Sequence, residues 1–96
     1  LGRKTIEMMR TQQLNDAQQA TFGWADRGYG YGIGMRTMLR PWRLNGSVGE
    51  FGWDGWLGCY MEVVPEQNMT FLMMTQKKDA GTYTLSRKIR NIIFSE

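Results

Sequence analysis

Histidine is absent from this 96-residue sequence, and cysteine occurs once, at Cys59. The chain therefore lacks the commonest general base and the commonest metal ligand. Neither a Ser–His–Asp nor a Cys–His catalytic device can be assembled from it, and we expect no metal or cofactor. A single thiol cannot form an internal disulfide, so the cysteine content does not indicate whether the protein works in an oxidising or a reducing compartment. Periplasmic, secreted and cytoplasmic locations all remain compatible with the sequence.

Long apolar runs and dense charge clusters are also missing. No run reaches the roughly 18 apolar residues of a membrane-spanning helix, so we expect no membrane partner. The net charge is +3, from 12 Lys and Arg against 9 Asp and Glu. These basic residues are scattered along the chain and form no Lys/Arg-rich patch. The sequence therefore predicts ordinary surface charge and no nucleic-acid partner, although a basic nucleic-acid binder is an alternative that salt-dependent affinity would reveal.

Methionine, tryptophan and glycine are abundant instead, with 8, 4 and 12 copies. Trp and Met in such numbers are typical of a substantial core or a binding cleft, and they are many for one small domain. The first residue is Leu1 rather than Met. Both observations favour a piece of a larger protein.

Helical spacing of apolar residues predicts a helix at each end of the chain. The first covers residues 2–14 and ends near Asn15–Asp16, followed by an irregular polar stretch over 17–28. The second follows a loop over 77–83 and is capped by Thr82 or Thr84. The residues on its predicted inner face are Leu85, Ile89, Ile92 and Ile93. Those on its predicted outer face are Arg87, Lys88 and Arg90.

Side-chain alternation predicts strands over residues 29–38, 48–55, 57–64 and 69–76. In the first strand the glycines share one face, where another backbone can approach closely, and Arg40–Trp42 ends it because proline cannot donate to a strand ladder. The fourth strand is apolar on both faces, which predicts a central strand covered on both sides. Short turns make the last three strands antiparallel. We therefore predict an α+β fold, an antiparallel sheet of about four strands flanked by N- and C-terminal helices.

The stretch GEFGWDGWLGCY, residues 49–60, is the most informative part of the chain. Glycine weakens a strand and usually marks close approach of backbone to something else. Trp53 and Trp56 flank a tight Asp54–Gly55 turn, and aromatic rings beside exposed backbone N–H groups are typical of a ligand cleft. A hairpin with core tryptophans is the alternative interpretation.

This stretch resembles the third active-site motif of the serine β-lactamase and penicillin-binding-protein family, in its class C-like and esterase-like branch. There an edge strand carries Lys-Thr-Gly or a variant, followed by a Gly-rich hairpin strand, a Pro-containing turn, an apolar strand and a C-terminal helix. The same order is found here in WDG (53–55), GCYMEVVPE (58–66) and MTFLMMTQ (69–76). Residues 29–35 and 5–11 resemble the preceding family segments, so the resemblance covers nearly the whole chain.

The resemblance implies a serine hydrolase that cleaves an ester, amide or lactam through an acyl-serine intermediate. Trp53, Asp54 and Gly55 would occupy the motif positions in the substrate cleft, and the Trp56 backbone N–H would be an oxyanion-hole donor. Trp53 carries no cation for a β-lactam carboxylate, and Asp54 adds a negative charge near the cleft. Both departures favour ester or peptidase-like substrates.

The nucleophile is missing from the chain. The family requires Ser-x-x-Lys and a Tyr-x-Asn or Ser-x-Asn element, whereas Ser47, Ser86 and Ser95 are not followed by Lys at the third position. We therefore expect residues 1–96 to be one C-terminal segment of a larger hydrolase domain, which is its main partner. Alone it would be catalytically silent and prone to self-association through exposed apolar surface. A self-contained binding module with an aromatic Gly-rich hairpin is the alternative.

Overall fold

Alternating side chains and short Gly- or Pro-containing turns build a sheet in which neighbouring strands follow one another along the chain. The computed structural model describes residues 1–41, 45–78 and 82–95, without the side chains at 82 and 83. Within these ranges the strands are β1 (Tyr29–Tyr31), β2 (Arg36–Met38), β3 (Phe51–Asp54), β4 (Tyr60–Val64) and β5 (Met69–Met73). The helices are α1 (Arg3–Met9), α2 (Asp16–Thr21) and α3 (Thr82–Ile93), with 3-10 turns at Ala25–Arg27 and Pro65–Gln67.

The predicted α+β class is confirmed, with one more strand than expected. The described strands form one antiparallel sheet in the order β1-β2-β3-β4-β5. The difference arises in residues 29–38, which fold back into the hairpin β1–β2 rather than forming one strand. Gly34 lies in this turn with a φ of 79°, a left-handed conformation that favours glycine.

The N-terminal helix is shorter than predicted. After α1 the chain turns to run beside β1, where Ile33 N donates to Met9 O at 2.7 Å and Gln13 N donates to Tyr31 O at 2.9 Å. The glycine face of β1 makes this possible, since a Cβ at Gly32 would collide with Met9 O. The predicted close backbone approach on that face is thereby confirmed.

Residues 17–28 are more regular than the sequence suggested. Asn15 does not end a helix; it begins α2, because its side chain accepts from Gln18 N while Gln18 Oε1 accepts from Asn15 N. This reciprocal pair is a capping box. The interpretation of the segment as irregular was wrong, since the cap was read as a stop signal.

The fourth predicted strand is β5, and it lies at one edge of the described sheet rather than in its centre. Leu72 is 58% exposed, and Met74 beyond the strand end is exposed as well. The register places Leu72 beside Met61, and Met61 beside Trp53. This row of apolar side chains forms an open sheet face.

The predicted faces of the C-terminal helix were wrong for Arg90 and Ile92, whereas Lys88 is exposed as predicted. Arg90 is 1% exposed and Ser86 is also buried, whereas Ile92 is 70% exposed. The buried residues lie at i and i+4, so α3 faces the sheet with a polar stripe. Thr84, one of the two predicted caps, lies within α3. The side chain of Thr82, the other predicted cap, lies outside the described part of the structure, as does Trp42 at the end of the predicted strand break.

Candidate functional site

The turn between β3 and β4 is held by backbone hydrogen bonds. Gly55 N donates to Cys59 O at 2.6 Å, and Gly58 N donates to Gly55 O at 3.0 Å. Gly58 has a φ of 94°, which a residue with a Cβ rarely adopts. The sequence motif therefore forms a tight loop in which the backbone conformation at position 58 favours glycine.

Trp56 lies at the tip of this turn. Its side chain is 73% exposed, and the Lys78 ammonium lies 4.6 Å from the ring centroid. Within residues 1–41, 45–78 and 82–95, no acceptor takes a hydrogen bond from the Trp56 backbone N–H. This N–H is thus available to an external acceptor.

Trp53 packs in an aromatic cluster at the end of β3. Its ring meets the Tyr31 ring edge-on at 5.5 Å between centroids and the Trp24 ring at 6.5 Å. The side chain remains 41% exposed, so it is not the core tryptophan of the alternative interpretation. Trp53 and Trp56 are both exposed but contact different neighbours.

Asp54 departs from the sequence expectation. Its Oδ1 accepts a 2.8 Å hydrogen bond from Arg36 Nη1, and the two side chains form an ion pair. Strand alternation places Asp54 on the face opposite Trp53. The Asp54 carboxylate is therefore paired inside the fold, whereas the sequence analysis placed its charge beside the cleft.

Arg36 is the functional candidate that the sequence analysis missed. Its other nitrogen, Nη2, donates to Glu62 Oε2 at 2.8 Å, and the side chain is 1% exposed. The guanidinium carbon lies 4.9 to 5.1 Å from the ring centroids of Trp24, Tyr29 and Tyr60. Ring faces attract a cation, so this arginine is enclosed by carboxylates and aromatic rings.

A second buried arginine connects α3 to the same region. Arg90 Nη2 donates to Glu50 Oε1 at 2.6 Å, and Arg90 Nη1 donates to the Tyr60 hydroxyl at 2.7 Å. Glu50 also accepts from the Tyr29 hydroxyl at 2.9 Å and from Ser47 N at 3.1 Å. Arg36, Glu50, Glu62 and Arg90, with Asp54 and the two tyrosines, form what we call the buried ion network.

Burial changes the proton affinity of this network. Desolvation raises the pKa of Glu62, and the nearby Glu50 carboxylate adds to the rise, while Arg36 and Arg90 oppose it. Desolvation likewise raises the pKa of Tyr29 and Tyr60 well above the ordinary value. Both phenols therefore stay protonated and act as hydrogen-bond donors or acceptors rather than as bases. The side chains of this network are thus largely shielded from solvent.

A shallow apolar depression lies beside the turn. It has a volume of about 420 Å³ and is lined by Leu57, Cys59, Met74, Thr75 and Gln76. The Cys59 thiol donates a hydrogen bond to Thr75 O at 3.2 Å, so its role is structural. Among the described residues no cluster of His, Cys, Asp and Glu is arranged to hold a metal ion. In the same ranges the helices are too short or too polar to cross a bilayer.

The predicted site residues are therefore partly brought together. Gly55 and Trp56 form the exposed turn, Trp53 borders it, and Asp54 belongs to the buried ion network. A signal for that network existed in the sequence. Glu62 lies in the middle of an otherwise apolar strand, where a charge is expected to be buried only if it is paired.

Comparisons with known proteins give distant similarity only. No family model matches the chain. The chain is similar to the Uncharacterized protein MT1414 of Mycobacterium tuberculosis (strain CDC 1551 / Oshkosh) and to Protein Rv1367c of Mycobacterium tuberculosis (strain ATCC 25618 / H37Rv). Each is 29% identical over 85 residues, which cover 79% of this chain and 21% of the relative. The chain thus spans about a fifth of the length of the curated relatives it matches.

Proposed function

We propose that this chain is the C-terminal part of a serine β-lactamase-like hydrolase, and that it supplies one wall of the substrate cleft and an oxyanion-hole donor. The observation that carries the proposal is the Trp56 N–H at the tip of the Gly55–Gly58 turn, which no acceptor in the described residues occupies. A fixed backbone dipole aimed at developing negative charge stabilises the tetrahedral intermediate of acyl transfer. Backbone N–H groups perform this role whatever their side chain.

The motif positions 53–55 favour neutral substrates. Trp53 brings no cation to the motif position, and Asp54 is paired with Arg36 on the other side of the strand. Exposed Trp56 and Leu57 flank these positions with apolar surface, and the Lys78 ammonium lies against the Trp56 ring. An uncharged ester or amide fits positions 53–55 better than a β-lactam, whose carboxylate requires a cation at the Trp53 position.

The nucleophile must come from another segment. The chain has no histidine and no serine followed by lysine at the required spacing. The open sheet face formed by Trp53, Met61 and Leu72 offers apolar surface for that segment. Relatives about five times longer than the matched region are consistent with such an arrangement.

The test is covalent labelling of the full-length protein that contains this chain. A fluorophosphonate probe reacts with an activated serine, so we expect stoichiometric labelling of the full-length protein and none of the 96-residue chain. Turnover of p-nitrophenyl butyrate should follow the same pattern. A full-length protein that neither labels nor turns over the ester would refute the proposed function.

A matched pair of variants tests the donor. Trp56→Pro removes the backbone N–H, whereas Trp56→Ala keeps it and removes the indole. If the N–H is an oxyanion-hole donor, kcat of the proline variant should lie about 10²- to 10³-fold below that of the alanine variant. Equal kcat values for the two variants would argue against the donor role.

A binding module is the second candidate, because Trp53, Tyr31 and Trp24 form an aromatic cluster with one half-exposed ring. This alternative requires that residues 1–96 fold as a stable monomer. A sharp, reversible thermal transition of a monomer in the isolated chain, together with an unlabelled full-length protein, would favour it.

A further inference from the structure

Arg36 spans the base of the β3–β4 turn. Its two acceptors belong to two different strands, Asp54 at the end of β3 and Glu62 in β4, each at 2.8 Å. Arg36 itself lies on β2, beside Gly52 in the register. A guanidinium has a planar, rigid arrangement of donors, so one side chain fixes the relative positions of the two strands where the turn leaves them.

The turn is anchored from outside on both sides. Gly55 and Gly58 have wide conformational freedom; the turn closes through Gly55 N to Cys59 O and Gly58 N to Gly55 O, and Lys77 N donates to Leu57 O at 2.9 Å on the side after Trp56. Asp54 is the residue immediately before Gly55. Its carboxylate is therefore the nearest side chain through which the fold can hold the start of the turn.

Arg36 is itself immobilised. Its side chain is 1% exposed, and aromatic rings from Trp24, Tyr29 and Tyr60 enclose its guanidinium carbon at 4.9 to 5.1 Å. A buried charge so enclosed cannot swing to solvent without losing both ion pairs. The path from the fold interior to the turn is thus short and rigid: Arg36, the Asp54 carboxylate, and the Gly55–Trp56 backbone.

We propose that Arg36 is a positioning residue that aims the Trp56 N–H through Asp54. The proposal rests on the proposed function, in which that N–H receives the oxyanion. A donor of this kind acts on the transition state more than on bound substrate. Small displacements of a catalytic group reduce the rate strongly.

The experiment uses the full-length protein with Arg36→Met, Arg36→Lys and Asp54→Asn. Val64→Ala is the matched control for lost stability, because Val64 is fully buried in β4 but lies at the strand end opposite the β3–β4 turn, beside Met69. Active sites are counted with the fluorophosphonate probe, so that loss of folded protein is separated from loss of rate. The rate is measured with p-nitrophenyl butyrate.

We expect Arg36→Met to lower kcat per labelled site about tenfold or more, with KM changed less than about twofold. Arg36→Lys should recover part of the rate, since one ammonium can pair with one carboxylate but not bridge two. Adding Arg36→Met to Asp54→Asn should lower kcat little further, because both act on one path. Val64→Ala should destabilise the protein while leaving kcat per labelled site unchanged.

Amide hydrogen exchange gives a readout that does not need activity. Arg36→Met and Asp54→Asn should accelerate deuterium uptake over residues 55–59 relative to Val64→Ala. Equal uptake in the three variants, or equal losses of kcat in Arg36→Met and Val64→Ala, would overturn the positioning role. If the wild-type protein does not label, the proposed function fails, and hydrogen exchange alone decides whether Arg36 positions the turn. Should Arg36→Met not fold, Arg36→Lys and Asp54→Asn carry the same comparison.

Discussion

Arg90 on the C-terminal helix donates a 2.6 Å hydrogen bond to Glu50, the residue immediately before β3, and both side chains are buried. The helix is thus fastened to the sheet by an ion pair, whereas the sequence pattern had assigned its isoleucines to this contact. Removing one partner of a buried pair leaves an uncompensated charge. The stability of the fold is therefore expected to depend on polar contacts more than its Met and Trp content suggests.

Arg90→Met should lower the free energy of unfolding by about 3 kcal/mol or more, because Glu50 then stays buried without its cation. Glu50→Gln should lower it less, since the amide oxygen can still accept from the Tyr29 hydroxyl. Urea unfolding followed by tryptophan fluorescence measures both. The double variant should be less destabilised than the sum of the single variants, and additive effects would contradict the pairing.

Stability should fall at alkaline pH because of Tyr29 and Tyr60. Burial raises the pKa of both phenols above the ordinary 10.0. Below pH 10 they are protonated in both the folded and the unfolded chain and contribute nothing to the pH dependence. Above pH 10 the unfolded chain loses these protons and the folded chain keeps them, so the free energy of unfolding decreases as the pH rises.

A spectrophotometric titration at alkaline pH checks this expectation. The phenolate absorbance of Tyr29 and Tyr60 should appear only together with unfolding, and Tyr29→Phe should remove part of the alkaline loss of stability. Ionisation of these two phenols in a chain that retains its folded circular dichroism would show that they are accessible.

Gly52→Ala should destabilise the β3–β4 pairing. A Cβ at this position would collide with the backbone of Met61 and Glu62 in the neighbouring strand. Two backbones cannot yield as a flexible side chain can, so we expect a loss of about 2 kcal/mol or more. Gly23→Ala is the control, since nothing lies within 4 Å of its Cβ position, and it should change stability by less than about 0.5 kcal/mol. Equal melting temperatures for the two variants would contradict the close approach.

The isolated chain should self-associate through its open sheet face. Leu72→Lys places a charge in the row formed with Met61 and Trp53, and charges on an exposed strand edge oppose pairing. Sedimentation velocity should therefore show less association for Leu72→Lys than for the unmodified chain. Leu39→Lys, on an exposed residue outside this row, should leave association unchanged. An unmodified chain that stays monomeric at all concentrations would contradict the prediction.

Sequence patterns were sufficient for the fold class and for the existence of β3, β4 and β5. Turn residues and alternation are local properties, so they identify hairpins without tertiary information. The β1–β2 turn was missed because its glycines also fit an alternating strand. Asn15 was interpreted as the end of the first helix, because asparagine occurs both after the end of a helix and as the N-cap of the next one.

The buried ion network was not predictable from local pattern in the same way. Alternation shows that Arg36 and Glu62 each lie on one face of a strand, but it does not show which face becomes interior. Three-dimensional pairing makes burial of both charges tolerable. The predicted face of Arg90 on α3 was wrong for the same reason, since Arg90 has its partners 30 to 45 residues away in sequence.

The link between Arg90 and Glu50 also constrains the order in which the protein can be made and folded. During synthesis the β-strands leave the ribosome before α3, and until α3 follows, Glu50 has no arginine from that helix to neutralise it. Segments generally fold once their stabilising partners have emerged. We therefore expect the strands beside Glu50 to reach their full stability only after α3 has been translated.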